Sequence, residues 1–213
     1  MNMDHRTLSL ADRVFERLER AILTGEYKRG EVLTELSLTE SLGVSRTPIR
    51  EALLRLEDEN LVEASGRGVV VLGITNEDLL DIYAIRERTE GLAASLAATR
   101  RTEEELARLS ETVVLQEYYV NRADADHIKA QDSAFHEMVY RLSGSRILYD
   151  TLLLLHRKVQ KYRQSSVQNN SRAEASLLEH KRIYEAIAKG DAEAAERAMC
   201  EHVRNAATHI KEG

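Results

Sequence analysis

A single proline, Pro48, stands in this chain of 213 residues. Proline breaks helix interiors, so its near absence leaves almost the whole chain free to be helical. The composition agrees. Tryptophan is absent, phenylalanine occurs twice, and leucine, alanine, glutamate and arginine dominate. Such a chain is constrained toward helices joined by short connections, with glycines as stops.

The proline lies in Leu42-Gly43-Val44-Ser45-Arg46-Thr47-Pro48-Ile49-Arg50-Glu51-Ala52-Leu53. Gly43 suits the left-handed end of one helix, and Ser45 an N-cap for the next. Pro48 then falls in the first turn, where a missing N–H costs nothing. Ile49, Leu53 and Leu56 repeat at i, i+4 and i+7 and face inward, which turns Arg46, Thr47 and Arg50 outward. Two helices joined by a tight turn, the second with a basic face, form a helix-turn-helix, and this points to double-stranded DNA as a partner.

The formal charge of −6 runs against a generally basic protein. Positive charge is nevertheless concentrated locally, with three arginines and one glutamate from Val44 to Arg55. One cysteine, Cys200, excludes an intramolecular disulfide. No apolar run approaches the ~20 residues of a membrane span, and the start lacks a signal-peptide layout. The expectation is a cytoplasmic protein with no membrane partner.

Helical periodicity and caps predict a first helix from Leu10 to about Thr24, capped by Ser9 with Asp12, its apolar stripe being Leu10, Val14, Leu18, Ala21 and Ile22. A second helix runs from Glu35 to Leu42 behind Thr34. The proline helix follows. Leu61–Ala64 and Val69–Val71 read as short strands joined by Ser65-Gly66-Arg67-Gly68. Six further helices are expected: from Thr75 to about Thr99, Thr102 to about Arg122, Asp124 to Leu142, Ser145 to about Ser165, Ser171 to Lys189, and Asp191 to about Lys211. The polar run 166–171 reads as a loop. The predicted fold is mainly α: a winged helix-turn-helix over residues 1–73, then an all-α six-helix antiparallel bundle over 74–213.

On the winged domain, Arg46 and Arg50 share a helix face, and arginine reads guanine bidentately. Ser45, Thr47 and the helix N-terminus suit phosphates. Arg67 at the wing tip can reach the minor groove. An ordinary solvated face is the competing reading of the arginines, and the turn, cap, proline and wing together weigh against it. In the bundle, Asp132 and His136 stand one turn apart, with His180 and His202 on the fifth and sixth bundle helices. One carboxylate and three imidazoles suit a divalent ion, although four separately satisfied side chains would give the same spacing. His5, His127, His156 and His209 lack such placement and read as surface or packing residues. Cys200 falls on the opposite side of its helix from His202 and reads as a small packing residue. Arg86 with Glu90 one turn on reads by itself as a surface i, i+4 ion pair, and Arg163 is a further cation with no spacing argument behind it.

Residues from about Val14 to Leu72 resemble the DNA-binding domain of GntR-type bacterial transcription regulators, through the proline stretch and Glu59-Asn60-Leu61-Val62. The resemblance implies operator contacts from Arg46 and Arg50 and close approach of Gly66 to DNA. Leu36 departs from it, since some members carry a DNA-contacting arginine there. Residues from about Asn76 to Lys211 resemble the effector and dimerisation domain of the FadR subfamily, in its six-helix, VanR-like variant. That resemblance implies a divalent metal in each subunit on Asp132, His136, His180 and His202, with zinc, nickel or manganese as candidates. It further implies an effector cavity reached by Arg86, and it disfavours acyl-CoA, because the acyl-CoA-binding member lacks this ligand set.

The resulting expectation is a homodimeric repressor, not an enzyme. It would bind a near-palindromic operator and be released by a small organic acid at the metal. A direct metal sensor, a structural metal and a metal-dependent hydrolase are the alternatives.

Overall fold

The computed structural model describes residues 9–165 and 172–211, with the side chains of 161–165 and 209–211 outside that description. The expected loop at 166–171, the cap at Ser171, His5 and the side chains of Arg163 and His209 therefore lie outside the described residues. The chain divides into two compact units, with the main division between Thr75 and Asn76.

The first unit begins with α1 (Leu10–Leu23), whose start is closed by a reciprocal Ser9–Asp12 capping box. Val14, Phe15, Leu18, Ala21 and Ile22 are buried on one face. Leu10 departs from the expected stripe and is 43% exposed. It is the first residue of the helix, ahead of the packed cluster that begins at Val14.

A two-residue strand, β1 (Val32–Leu33), follows, then α2 (Glu35–Leu42) behind a Thr34–Ser37 capping box. Gly43 ends α2 in the left-handed region at φ 66°, which a side chain would strain. The next helix is α3 (Arg46–Asp58), with Pro48 its third residue. Ser45 occupies the N-cap with extended backbone, but its hydroxyl makes no capping hydrogen bond, contrary to the expected side-chain cap. Ile49, Ala52, Leu53 and Leu56 pack inward with α1.

The hairpin consists of β2 (Val62–Ser65) and β3 (Gly68–Val71), a one-residue shift from the expected strand ends. β3 is central, with antiparallel β1 on its other edge, where Leu33 pairs with Val69. β1 carries no signal in the sequence, because two residues have no periodicity. Gly68 marks its approach: a Cβ there would lie 2.2 Å from the Leu33 carbonyl oxygen. Only glycine allows the wing to close against β1.

The second unit is a bundle of α4 (Asn76–Arg100), α5 (Glu103–Val120), α6 (Ala125–Leu142), α7 (Arg146–Ser165), α8 (Arg172–Lys189) and α9 (Ala192–Lys211). Among the described residues it contains no strand. Local signals set the ends: a Thr102–Glu105 capping box on α5, Asp124 accepting from the His127 N–H on α6, and Asp191 accepting from the Ala194 N–H on α9. The central helix is α4, which packs against α6, α8 and α9. Its Gly91, Ala93, Ala94, Ala97 and Ala98 are buried, so its backbone comes close to its neighbours. At Gly91 an added Cβ would lie 2.5 Å from Cys200 Sγ, which places Cys200 as packing against α4.

Candidate metal centre and nucleic-acid interface

The bundle brings three of its expected ligands together. His136 on α6, His180 on α8 and His202 on α9 are all buried. His136 Nε2 lies 3.1 Å from His202 Nε2, and His180 Nε2 lies 3.3 Å from the same atom. Phe135 stacks on the His180 ring with centroids 4.0 Å apart and fixes its plane.

Each ring is held from behind. His136 Nδ1 donates to Glu90 Oε2 at 2.9 Å, His180 Nδ1 to Gln116 Oε1 at 2.8 Å, and His202 Nδ1 to Glu179 Oε2 at 2.7 Å. A neutral imidazole that donates through Nδ1 keeps its lone pair on Nε2. Burial holds His180 and His202 below the usual imidazole range, which favours the neutral form. Three lone pairs therefore converge with no donor among them. Two nitrogens each ~2.0–2.1 Å from one ion would be about 2.9 Å apart at a right angle and about 3.4 Å apart at a tetrahedral one. The two spacings to His202 fall in that interval and all three nitrogens lie within 4.8 Å of one another, a donor set of the kind a borderline divalent cation takes.

Asp132 lies at the margin of this cluster. Its Oδ1 is 3.9 Å from His180 Nε2 and accepts from Ser176 Oγ at 3.3 Å, and its side chain is 23% exposed. It stands beside His180, outside the tight cluster of three.

Behind His136 lies a second polar layer. Glu90 takes His136 on one oxygen and Arg86 Nε on the other. Arg86 Nη2 also donates to His156 Nδ1 at 3.2 Å. Arg86 and Glu90 are 5% and 0% exposed, so this i, i+4 pair is no surface pair. Burial works against both charges, yet each raises the other's ionised population: Glu90 is held well below its ordinary range and Arg86 above its own. His156 corrects the sequence reading. It is buried within a polar network rather than isolated, and burial, with the Arg86 cation beside it, lowers it to about 3.

Gln116 and Glu179 carry no signal of a site in the sequence, and His156 reads there only as a surface or packing residue. They act across helices, and helical spacing reports only neighbours on the same helix. The only local clue was the Glu179-His180 adjacency. Glu179 is the best connected of them, binding Arg172 at 2.6 and 2.8 Å and Asn205 at 2.8 Å besides His202. These contacts hold its carboxyl down at about 2, against the effect of burial.

The first unit presents a different surface. Ser45, Arg46, Thr47 and Arg50 on the start of α3, and Gly66 and Arg67 at the wing tip, are all exposed. Arg46 and Arg67 form no salt bridge among the described residues. Arg50 Nε donates to Glu35 Oε1 on α2 at 2.6 Å. Arg55 is turned away to Asp12, at 2.7 Å, and over the Phe15 ring, so it ties α3 to α1.

The sequence matches the family of bacterial regulatory proteins named gntR over residues 10–71 and the FCD domain over residues 81–205. The chain belongs to the GntR family. It is similar to the HTH-type transcriptional regulator YdhC of Bacillus subtilis (strain 168), with 33% identity covering 92% of this chain and 89% of that one. It is 27% identical to the HTH-type transcriptional repressor RspR of Escherichia coli (strain K12), covering 97% and 91% of the two chains. Among solved structures, a GntR transcriptional regulator from Rhodococcus sp. RHA1 superposes with a TM-score of 0.67 at 27% identity, covering 97% of this chain and 99% of that one. This GntR-family chain is therefore a DNA-binding transcription regulator of winged-helix and FCD architecture. No described helix is long and apolar enough to cross a membrane.

Proposed function

We propose that this GntR-family protein is a repressor whose operator binding is controlled by a small organic acid bound at a divalent metal in the bundle. The observation that carries the reading is the convergence of the buried Nε2 atoms of His136, His180 and His202, each ring bound through its Nδ1 by Glu90, Gln116 or Glu179. With each Nδ1 protonated the three Nε2 lone pairs face one another, and a cation would relieve their repulsion. Asp132 would complete the protein's ligand set, and zinc, nickel and manganese are the ions whose ligand preferences overlap it. The bound ion supplies a Lewis-acidic point for a carboxylate oxygen.

The chain's own residues do the rest. Glu90, Gln116 and Glu179 fix the three ring orientations and keep each Nδ1 protonated. Arg86 already shares its charge with Glu90, so its part in effector recognition is to orient Glu90 and His156 and to add a guanidinium edge to the site. The Tyr83 hydroxyl, on the same helix, is buried with no hydrogen-bond partner among the described residues, and a ligand carboxylate would satisfy it. Effector binding favours one bundle geometry over another only through differential affinity for the two.

On the DNA side, Arg46 and Arg50 read bases, Ser45 and Thr47 hold phosphates, and Gly66 and Arg67 bring the wing to the duplex. A homodimer places two such heads on a near-palindromic operator. Exposed Val114, Leu115 and Tyr118 on α5 support self-association. The repressor activity named for RspR is in keeping with this reading.

The test uses the full chain and a duplex it selects from a random-sequence pool. A panel of small carboxylates is added to the metal-loaded protein on that duplex, with the His136→Ala/His180→Ala variant alongside. Release of wild type by one carboxylate, with the variant bound to DNA but unresponsive, is the expected result. Equal release of both proteins overturns the site assignment. Release by metal alone replaces the effector reading with a metal sensor.

A further inference from the structure

We propose that Glu35 is a specificity-determining residue that fixes how Arg50 presents its guanidinium to DNA. This rests on the assignment of Arg50 as a base contact. Glu35 is the first residue of α2, set in place by the Thr34–Ser37 capping box, and its Oε1 accepts from Arg50 Nε at 2.6 Å. A guanidinium can fork onto guanine O6 and N7 through either of two edges: Nε with one terminal nitrogen, or the two terminal nitrogens. A carboxylate on Nε removes the first choice. The terminal edge, which reaches farthest from α3, remains. Anchoring Nε also reduces the rotamer freedom that Arg50 would lose on binding.

The pair has little to do with folding. Its side chains are 62% and 33% exposed, and such pairs contribute little to stability. Its position is more informative. The eight residues of α2 include no lysine or arginine, and its exposed Leu36 offers DNA no charge. Glu35, bound to Arg50, is thus a route by which α2 can influence base reading. The carboxylate also offsets positive charge beside Arg50, with Arg46 close enough to act on it electrostatically. It thereby weakens indiscriminate attraction to phosphate while leaving the terminal fork free for bases.

Two variants separate the anchor from the charge. Glu35→Gln keeps an acceptor for Nε and loses the charge, whereas Glu35→Ala loses both. Full-length proteins are titrated across a salt series against a duplex selected by wild type from a random pool and against a shuffled duplex of the same composition. Thermal midpoints are expected to change little, since the pair lies at the surface with Arg50 exposed and Glu35 half-buried. Both variants are expected to bind the shuffled duplex more tightly, with a salt slope steeper by up to about one unit. The ratio of selected to shuffled affinity is expected to fall about tenfold in Glu35→Ala. A repeat selection with that variant is expected to relax one base position, the same one lost in Arg50→Ala, and Glu35→Gln is expected to retain it. If Glu35→Ala keeps wild-type base preference while Arg50→Ala loses it, Glu35 acts as charge alone and the proposal falls. If Arg50→Ala also leaves preference unchanged, the base contact at Arg50 fails first and takes the proposal with it.

Discussion

The start of α3 and the heart of the bundle hold their charged groups in opposite ways. On α3, Arg46 and Arg50 stand in solvent, and Arg50 has one ionic partner at the surface. In the bundle, Arg86, Glu90 and the three clustered histidines are buried, and each is fixed by a partner on another helix. The first arrangement suits a reader of an external, highly charged polymer, because exposed cations stay available and respond to salt. The second suits a small ligand, because orientation is set before the ligand arrives. The comparison also implies where mutations will be felt in folding and where only in binding.

The largest effect is expected at Arg86. Arg86→Ala leaves Glu90 buried beside His136 without its cation, and removing one member of a buried pair costs about 3–5 kcal/mol. Denaturant unfolding should show this as a lower midpoint. A wild-type midpoint would mean that the buried pair is not formed in solution and would blur the contrast between the two regions. Next in size is metal loss. Stripping the protein with a chelator should lower the bundle's thermal midpoint, since an ion at a hundredfold excess over its dissociation constant adds about 2.7 kcal/mol. Differential scanning with and without added zinc measures it.

Glu179→Gln probes the layer behind the ligands. Loss of a partner that orients a histidine lowers metal affinity by about 10–100-fold, readable by competition with a chromophoric chelator. Unchanged affinity would show that the ring is held by packing alone. Arg46→Ala should change stability least. Its melting curve should overlay wild type, while affinity for the selected duplex falls by about tenfold or more. A melting shift there would show that the α3 surface is part of the fold.

Legibility followed the same division. The α3 surface was readable because its signals are local: Gly43, Ser45, Pro48 and the outward arginines lie within eight residues. Helix ends at Ser9, Thr34, Thr102 and Asp191 were readable for the same reason, a cap and its partner three residues apart. β1 was not, since two residues have no pattern and its pairing with β3 spans more than thirty positions. In the bundle, spacing placed Asp132 and His136 on one face. Placement on facing bundle helices offered His180 and His202 beside them and the resemblance favoured the set of four, but beyond the Glu179-His180 adjacency nothing local pointed to Gln116, His156 or Glu179 as partners. Packing of α4 against its neighbours brings the second polar layer together, and that packing rests on small residues at Gly91, Ala94 and Ala98, which carry no chemical signature of a site.

Cobalt(II) titration of the chelator-stripped full chain, followed by d–d absorption, tests the convergence of His136, His180 and His202 most directly. Saturation at about one ion per chain, with nitrogen-ligand bands that disappear in His180→Ala, is the expected result. A chain that remains folded yet shows no saturable cobalt spectrum, or one that His180→Ala leaves intact, would contradict a metal held by these three nitrogens.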